Sequence, residues 1–295
     1  KAARLVVFQR SANWVLPRLD RRYRTADRWL ARRPLWAGLA RRGWIGLLEQ
    51  VRKGFDAGHP VRYLLLALAH GLRHWQVRDP VLRAALAPQY PLGCKRLIFS
   101  NNYYPALARP NVRLETTPIA AVQAGGLRLA DGREHALDVL VCATGFDTGR
   151  PLSAISIRGR DGRSLDAAWA DGAQAHHGIS VAGFPNLFLL LGPNTATGHT
   201  STLPFIEAAV EHILACMART EAAGARAIEV EAEAMAAHNA ALQARLAGSV
   251  WSQCQSWYRA TNGRIVALFP GGSAEYVAAV RVPRTTDYRL HRDQE

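Results

Sequence analysis

The spacing of apolar positions changes several times along this chain. Leu5-Val6-Val7-Phe8 is a short unbroken apolar run and predicts a buried strand ending at Gln9-Arg10-Ser11. From about Arg18 to Ala87 the apolar residues recur at three- and four-residue steps, with Trp29, Leu30, Leu35, Trp36, Leu39, Trp44, Ile45, Leu47 and Leu48 interleaved with arginines. That pattern predicts amphipathic helices, broken at Pro34, Gly58-His59-Pro60 and Asp79-Pro80. The period then drops to two. Val112-Arg113-Leu114, Ile119 to Val122 and Leu127-Arg128-Leu129 read as short strands, Asp131-Gly132 as a hairpin turn, and Leu137 to Val141 as the returning strand. A second apolar strand is expected over Leu187 to Leu191. Helices are expected from about Leu203 to Arg219 and roughly Glu229 to Leu246, and the basic tail from Arg281 onward should be loose.

Chemistry clusters where these elements end. Pro91-Leu92-Gly93-Cys94-Lys95-Arg96-Leu97 places two adjacent cations after a turn and before an apolar run, with Asn101-Asn102-Tyr103-Tyr104 just behind. Neighbouring side chains diverge from either a strand or a helix, so Lys95 and Arg96 can serve two different anionic groups. Arg10-Ser11 sits at a strand carboxyl end, where α/β sheets bind ligands, and an arginine beside a hydroxyl suits a phosphate. The strand over 137–141 runs into Ala143-Thr144-Gly145-Phe146-Asp147, where glycine lets the backbone approach a ligand closely. The loop Gly192-Pro193-Asn194-Thr195-Ala196-Thr197-Gly198-His199-Thr200-Ser201 enters a helix start, a ready receptor for an anion or a ring edge.

Composition narrows the classes. With 295 residues, 49% hydrophobic and 20% charged, the chain is globular and fits one large or two ordinary domains. The net charge of +14 asks for an anionic partner, whether nucleic acid, anionic lipid or phosphorylated cofactor. Cys94, Cys142, Cys216 and Cys254 lie far apart, which argues against a zinc ribbon or a dithiol redox pair. They fit buried thiols in a reducing compartment, hence a cytoplasmic protein. His176-His177 has no third ligand at useful spacing, so the sequence assigns no metal site. No apolar run reaches the ~18 residues that span a bilayer. The chain opens on Lys1 with an immediate strand, which reads as the C-terminal piece of something longer.

Taken in order, Phe8-Gln9-Arg10-Ser11-Ala12-Asn13-Trp14, Gly93-Cys94-Lys95-Arg96-Leu97, Asn102-Tyr103-Tyr104, Ala143-Thr144-Gly145-Phe146-Asp147, Gly192-Pro193-Asn194 through Glu207, and Ser256-Trp257-Tyr258 with Gly271-Gly272 resemble the class B flavoprotein monooxygenases, the Baeyer–Villiger and flavin-containing group. The resemblance covers nearly the whole chain. It implies an α/β fold, the remainder of a flavoprotein with two Rossmann-like dinucleotide-binding domains and a helical insert. Residues 1–17 and 94–142 would belong to the NADPH domain, 18–93 to the insert and 143–295 to the FAD domain. Arg10, Ser11 and Lys95 would hold the NADP 2′-phosphate. Arg96 would be catalytic, its charge stabilising the C4a-peroxide anion formed from reduced FAD and O₂. Trp257 would pack near the nicotinamide. Thr144, Gly145 and Phe146 would return the chain to the FAD domain, and Asn194, Thr195 and His199 would pass the isoalloxazine ring.

The implied reaction inserts one oxygen atom of O₂ into a ketone, or onto the nitrogen or sulfur of an amine or sulfide, using NADPH and FAD. One departure stands out: neither Gly-x-Gly-x-x-Gly fingerprint of the family lies in this chain, so it should neither hold FAD tightly nor turn over alone. Two other readings stay open. One is a flavin-dependent pyridine-nucleotide reductase of related fold. The other makes the Arg- and Trp-rich helices a membrane-surface or nucleic-acid-binding module; the absence of helix-turn-helix or zinc spacing disfavours nucleic acid.

Overall fold

The computed structural model describes residues 2–56, 58–145, 152 and 154–292. The first strand, β1 (Leu5–Phe8), is followed by β2 (Val15–Leu16), and then the helical stretch begins. It comprises α1 (Thr25–Ala31), α2 (Pro34–Arg52), α3 (Pro60–Gln76) and α4 (Pro80–Ala85). The proline breaks seen in the sequence are helix starts: Pro34, Pro60 and Pro80 each open a helix, where a missing N–H costs nothing. His59 and Asp79 cap two of these starts by accepting from the backbone N–H of Val61 and Val81.

The chain then returns through β3 (Ile98–Phe99), α5 (Tyr103–Leu107) and β4 (Val112–Glu115). β1 pairs with β4 and β2 with β3, both parallel, as Rossmann-like halves require. An antiparallel meander follows: β5 (Ile119–Gln123), β6 (Gly126–Leu129) and β7 (Glu134–Ala136). Asp131-Gly132 makes the expected turn, with Gly132 at φ 86°. The returning strand, however, is Glu134–Ala136, not 137–141. Val139 and Val141 are exposed, and among the described residues no strand offers that run an edge to pair with.

After α6 (Leu165–Ala168) the expected strand over 187–191 is reduced to one antiparallel bridge, Ser180 to Phe188, and Leu190 and Leu191 are exposed. Leu191 takes a left-handed φ of 57°, which ends any ladder there. The remaining elements are α7 (Leu203–Ala222), β8 (Ala227–Val230), α8 (Ala232–Ala247), α9 (Ser273–Val280) and β9 (Tyr288–His291). Two expectations need correction here. Glu229 and Val230 belong to a strand before the helix. The tail is not loose: β9 pairs antiparallel with β8, and Tyr288 is buried because its ring fills the space between that ribbon and α7.

One core joins these parts. Trp14 just before β2 and Leu16 within it, Leu65 and Ala69 from α3, Leu92, Cys94 and Leu97, Phe205 from α7 and Tyr276 from α9 are buried together. The helical stretch is thus unequal. α3 buries Leu65 and Ala69, whereas α1 and α2 bury no residue, and Trp36, Leu39, Trp44 and Leu47 on α2 are exposed. No helix among the described residues is long and apolar enough to cross a membrane.

Candidate cofactor site

The Pro91–Leu97 segment is held from several sides, and that sets the direction of its two cations. Gly93 has φ 89°, and a Cβ there would run into the Phe55 ring. Trp251 donates its indole Nε1–H to the Gly93 carbonyl at 3.0 Å, in a buried position. Cys94 is disulfide-bonded to Cys254, 160 residues away, which corrects the reading of the cysteines as thiols. Cys142 is an exposed free thiol; only Cys216 is a buried one, and burial pushes its thiol up to about 11. Far-apart spacing could not reveal the pair, because the fold alone brings the two sulfur atoms together.

From this clamp Lys95 reaches one way and Arg96 another. Lys95 Nζ donates to Ser11 Oγ at 3.4 Å and lies 4.6 Å from the centre of the Tyr90 ring. Tyr90 is fixed in turn: its carbonyl accepts from Trp14 Nε1–H at 2.9 Å, and its hydroxyl donates to Asn13 Oδ1. Arg10 is exposed immediately before Ser11. Two cations and a hydroxyl thus stand at the β1 carboxyl end, a donor set suited to a phosphate dianion.

Arg96 is exposed, and its charge is felt at Tyr258. Burial pushes the Tyr258 hydroxyl up to about 12, against the lowering effect of Arg96. The Trp257 ring, 45% exposed, lies 4.5 Å from Tyr258. Tyr258, which the sequence motif contained without a role, is thus the residue that senses Arg96 and packs against Trp257.

The C-terminal candidates divide. Thr144 and Gly145 are exposed, Gly145 with φ 88°, and Phe146 lies outside the described residues. Asn194 and Thr195 are buried and used internally. Asn194 Nδ2 donates to the carbonyls of Ile265 and Leu268 at 2.8 and 3.0 Å, and Thr195 Oγ1 donates to that of Gly192 at 2.7 Å. Asn194 Oδ1 is buried without a partner. His199 is buried against Phe55, with Nδ1 3.0 Å from Thr197 Oγ1 and Nε2 3.5 Å from Glu49 Oε1. Burial lowers its pKa more than Glu49 raises it. Glu49 was missed in the sequence because it looks like any charge on a helix face; only its partners distinguish it.

No family model matches the chain. A Baeyer–Villiger monooxygenase from Pseudomonas aeruginosa is 39% identical over 292 residues, which is 98% of this chain and 55% of that protein. The chain matches part of a Baeyer–Villiger monooxygenase. A Baeyer–Villiger monooxygenase from Streptomyces coelicolor is 34% identical over 296 residues, 99% of this chain and 57% of that protein. The chain thus spans just over half the length of these curated relatives. A steroid monooxygenase structure bound to NADP superposes with a TM-score of 0.76 at 26% identity, over 99% of this chain and 63% of that one. The fold is also that of a cyclohexanone monooxygenase from Rhodococcus, with a TM-score of 0.83 at 23% identity over 98% of this chain and 63% of that one.

Proposed function

We propose that this chain supplies the NADPH-facing and oxygen-activating side chains of an FAD- and NADPH-dependent monooxygenase. The observation that carries the reading is the Lys95–Ser11 contact, made between segments 84 residues apart and directly beside Arg10. Residues 1–17 and 94–142 form the nicotinamide-nucleotide part, 18–93 the insert and 143–295 the FAD part. Arg10, Ser11 and Lys95 hold the 2′-phosphate, and Trp257 packs by the nicotinamide.

FAD, reduced by NADPH, supplies the oxygen chemistry when bound. The overall reaction is substrate + O₂ + NADPH + H⁺ → oxygenated substrate + NADP⁺ + H₂O. Arg96 contributes a fixed positive charge where negative charge develops, and the clamp on Cys94 keeps it from wandering. The FAD-side fit rests on the exposed Thr144-Gly145 turn, whose left-handed glycine leaves the backbone approachable. The exposed Val139-Leu140-Val141 run suits covering by a further part of the protein, as the relatives are nearly twice the length of this chain. The substrate is a small ketone, amine or sulfide.

The test is NADPH and O₂ consumption by the intact protein with a cyclic ketone and an aryl sulfide as substrates. One oxygenated product per NADPH is expected, and Arg96→Ala should keep flavin bound yet lose product formation. Full product formation by Arg96→Ala overturns its role, and the absence of any NADPH-driven oxygenation overturns the reading.

A further inference from the structure

His176 and His177 are joined in space by His238, which comes from α8. One ring nitrogen from each lies within 4.8 Å of the others. The ring centres of His177 stand 4.3 Å from both His176 and His238, and those of His176 and His238 are 5.2 Å apart. The trio is built by the fold. His177 and Gly178 both take left-handed φ values, 52° and 71°, and the resulting tight turn is closed by His176 N–H donating to the Ser180 carbonyl at 2.8 Å. Asn239, next to His238, donates Nδ2–H to the Ala175 carbonyl at 3.1 Å and so fastens α8 to that turn. Tyr276 donates its hydroxyl to the His177 carbonyl at 2.8 Å, fixing the turn from a third direction.

A second observation points to a ligand. His176 is 3% exposed, its Nε2 stands 3.4 Å from Asp287 Oδ2, and its Nδ1 is buried with no partner. A carboxylate on one ring nitrogen and a vacant lone pair on the other is the way metal-bound histidines are commonly oriented. His177 and His238 are half-buried, which leaves an approach.

We propose that His176, His177 and His238 form a binding site for a divalent transition metal, with Zn²⁺ as the best match to three imidazoles and Asp287 as the group that orients His176. A tetrahedral Zn²⁺ with bonds of about 2.0–2.1 Å holds its ligand nitrogens roughly 3.3 Å apart, so small rotamer adjustments close the trio. Water takes the fourth position. The site is distinct from the Lys95–Ser11 pair and shares no residue with it, so it does not depend on the oxygenase reading.

The experiment is titration of Zn²⁺ into the intact, metal-stripped protein carrying no affinity tag, followed by calorimetry and metal analysis, with Co²⁺ as the optical probe. One equivalent per chain, the visible absorption of tetrahedral Co²⁺ and a raised Tm are expected. His238→Ala and His177→Ala, both at half-buried positions and checked for folding by circular dichroism, should abolish stoichiometric binding. Asp287→Asn should weaken it by about 10–100-fold. Absence of stoichiometric binding overturns the proposal. So does binding that is unchanged in folded His238→Ala and His177→Ala, since the metal then sits elsewhere.

Discussion

Glu49 and Ser273 meet although 224 residues separate them: Glu49 Oε1 accepts from the Ser273 backbone N–H at 2.7 Å and from its hydroxyl at 2.6 Å. Glu49 lies on the largely exposed α2, and Ser273 opens α9. The carboxylate thus satisfies an N–H at a helix start and sits at the positive end of the helix. His199 approaches the same oxygen at 3.5 Å, so one residue of the helical stretch fixes both α9 and the Gly192–Ser201 loop.

Glu49→Ala leaves the buried Ser273 N–H without its acceptor and should destabilise the fold by about 1–3 kcal/mol. Chemical denaturation reads this directly. Wild-type stability in Glu49→Ala would show that α2 is not anchored there. Burial pushes the Glu49 carboxyl up, but the Ser273 hydroxyl and amide, with His199, outweigh it and lower its pKa below the usual 4.5. Its contribution is therefore present above pH 4.5 and is lost as pH falls through the lowered value.

Histidines govern the range just above that. His199 and His212 are both held below the ordinary 6.5, chiefly by burial. His212 Nδ1–H donates to the Val280 carbonyl at 2.6 Å, so its Nε2 accepts the Tyr288 hydroxyl proton at 2.7 Å, and that hydroxyl accepts from Ser180 at 3.1 Å. The unfolded chain binds protons that the folded chain refuses, so stability is full above pH 6.5 and declines as pH drops below it. Urea midpoints should fall between pH 7 and pH 5, and by less in Tyr288→Phe with His212→Leu if that double variant folds. A flat profile in wild type would refute neutral burial of these rings.

In the intact protein, Lys95→Ala and Ser11→Ala should each weaken NADP⁺ binding while leaving NAD⁺ binding nearly unchanged. Loss of one charge-assisted bond of about 1.5–3 kcal/mol corresponds to roughly 10–100-fold for Lys95, and less for Ser11. Equal losses for both nucleotides would place Lys95 elsewhere than at the 2′-phosphate.

Cys254→Ser removes a link that closes a 160-residue span and should cost about 2–4 kcal/mol. Because the bond also anchors the residue before Lys95, the same variant should weaken NADP⁺ binding. Thermal unfolding and nucleotide titration check the two effects separately. Loss of stability without loss of binding would mean that Trp251 and Phe55 suffice to hold the segment.

The sequence by itself determined the helical stretch between Arg18 and Ala87, with its breaks at Pro34, Pro60 and Pro80, and the helix α7, because proline at a first helical position and three- to four-residue apolar spacing act locally. It also determined β5, β6 and the turn at Asp131-Gly132, where alternation and turn residues are local signals, and the family resemblance carried by ordered short motifs, but it placed the returning strand three residues too late. The tertiary structure alone decided what joins distant segments: Cys94 to Cys254, Glu49 to Ser273, His238 to His176 and His177, and β9 to β8. It likewise decided that Val139–Val141 and Leu190–Leu191 form no ladder, since an apolar run becomes a strand only when a neighbouring backbone offers its hydrogen bonds. Local signals record what a segment prefers, and partners far along the chain determine what it contacts.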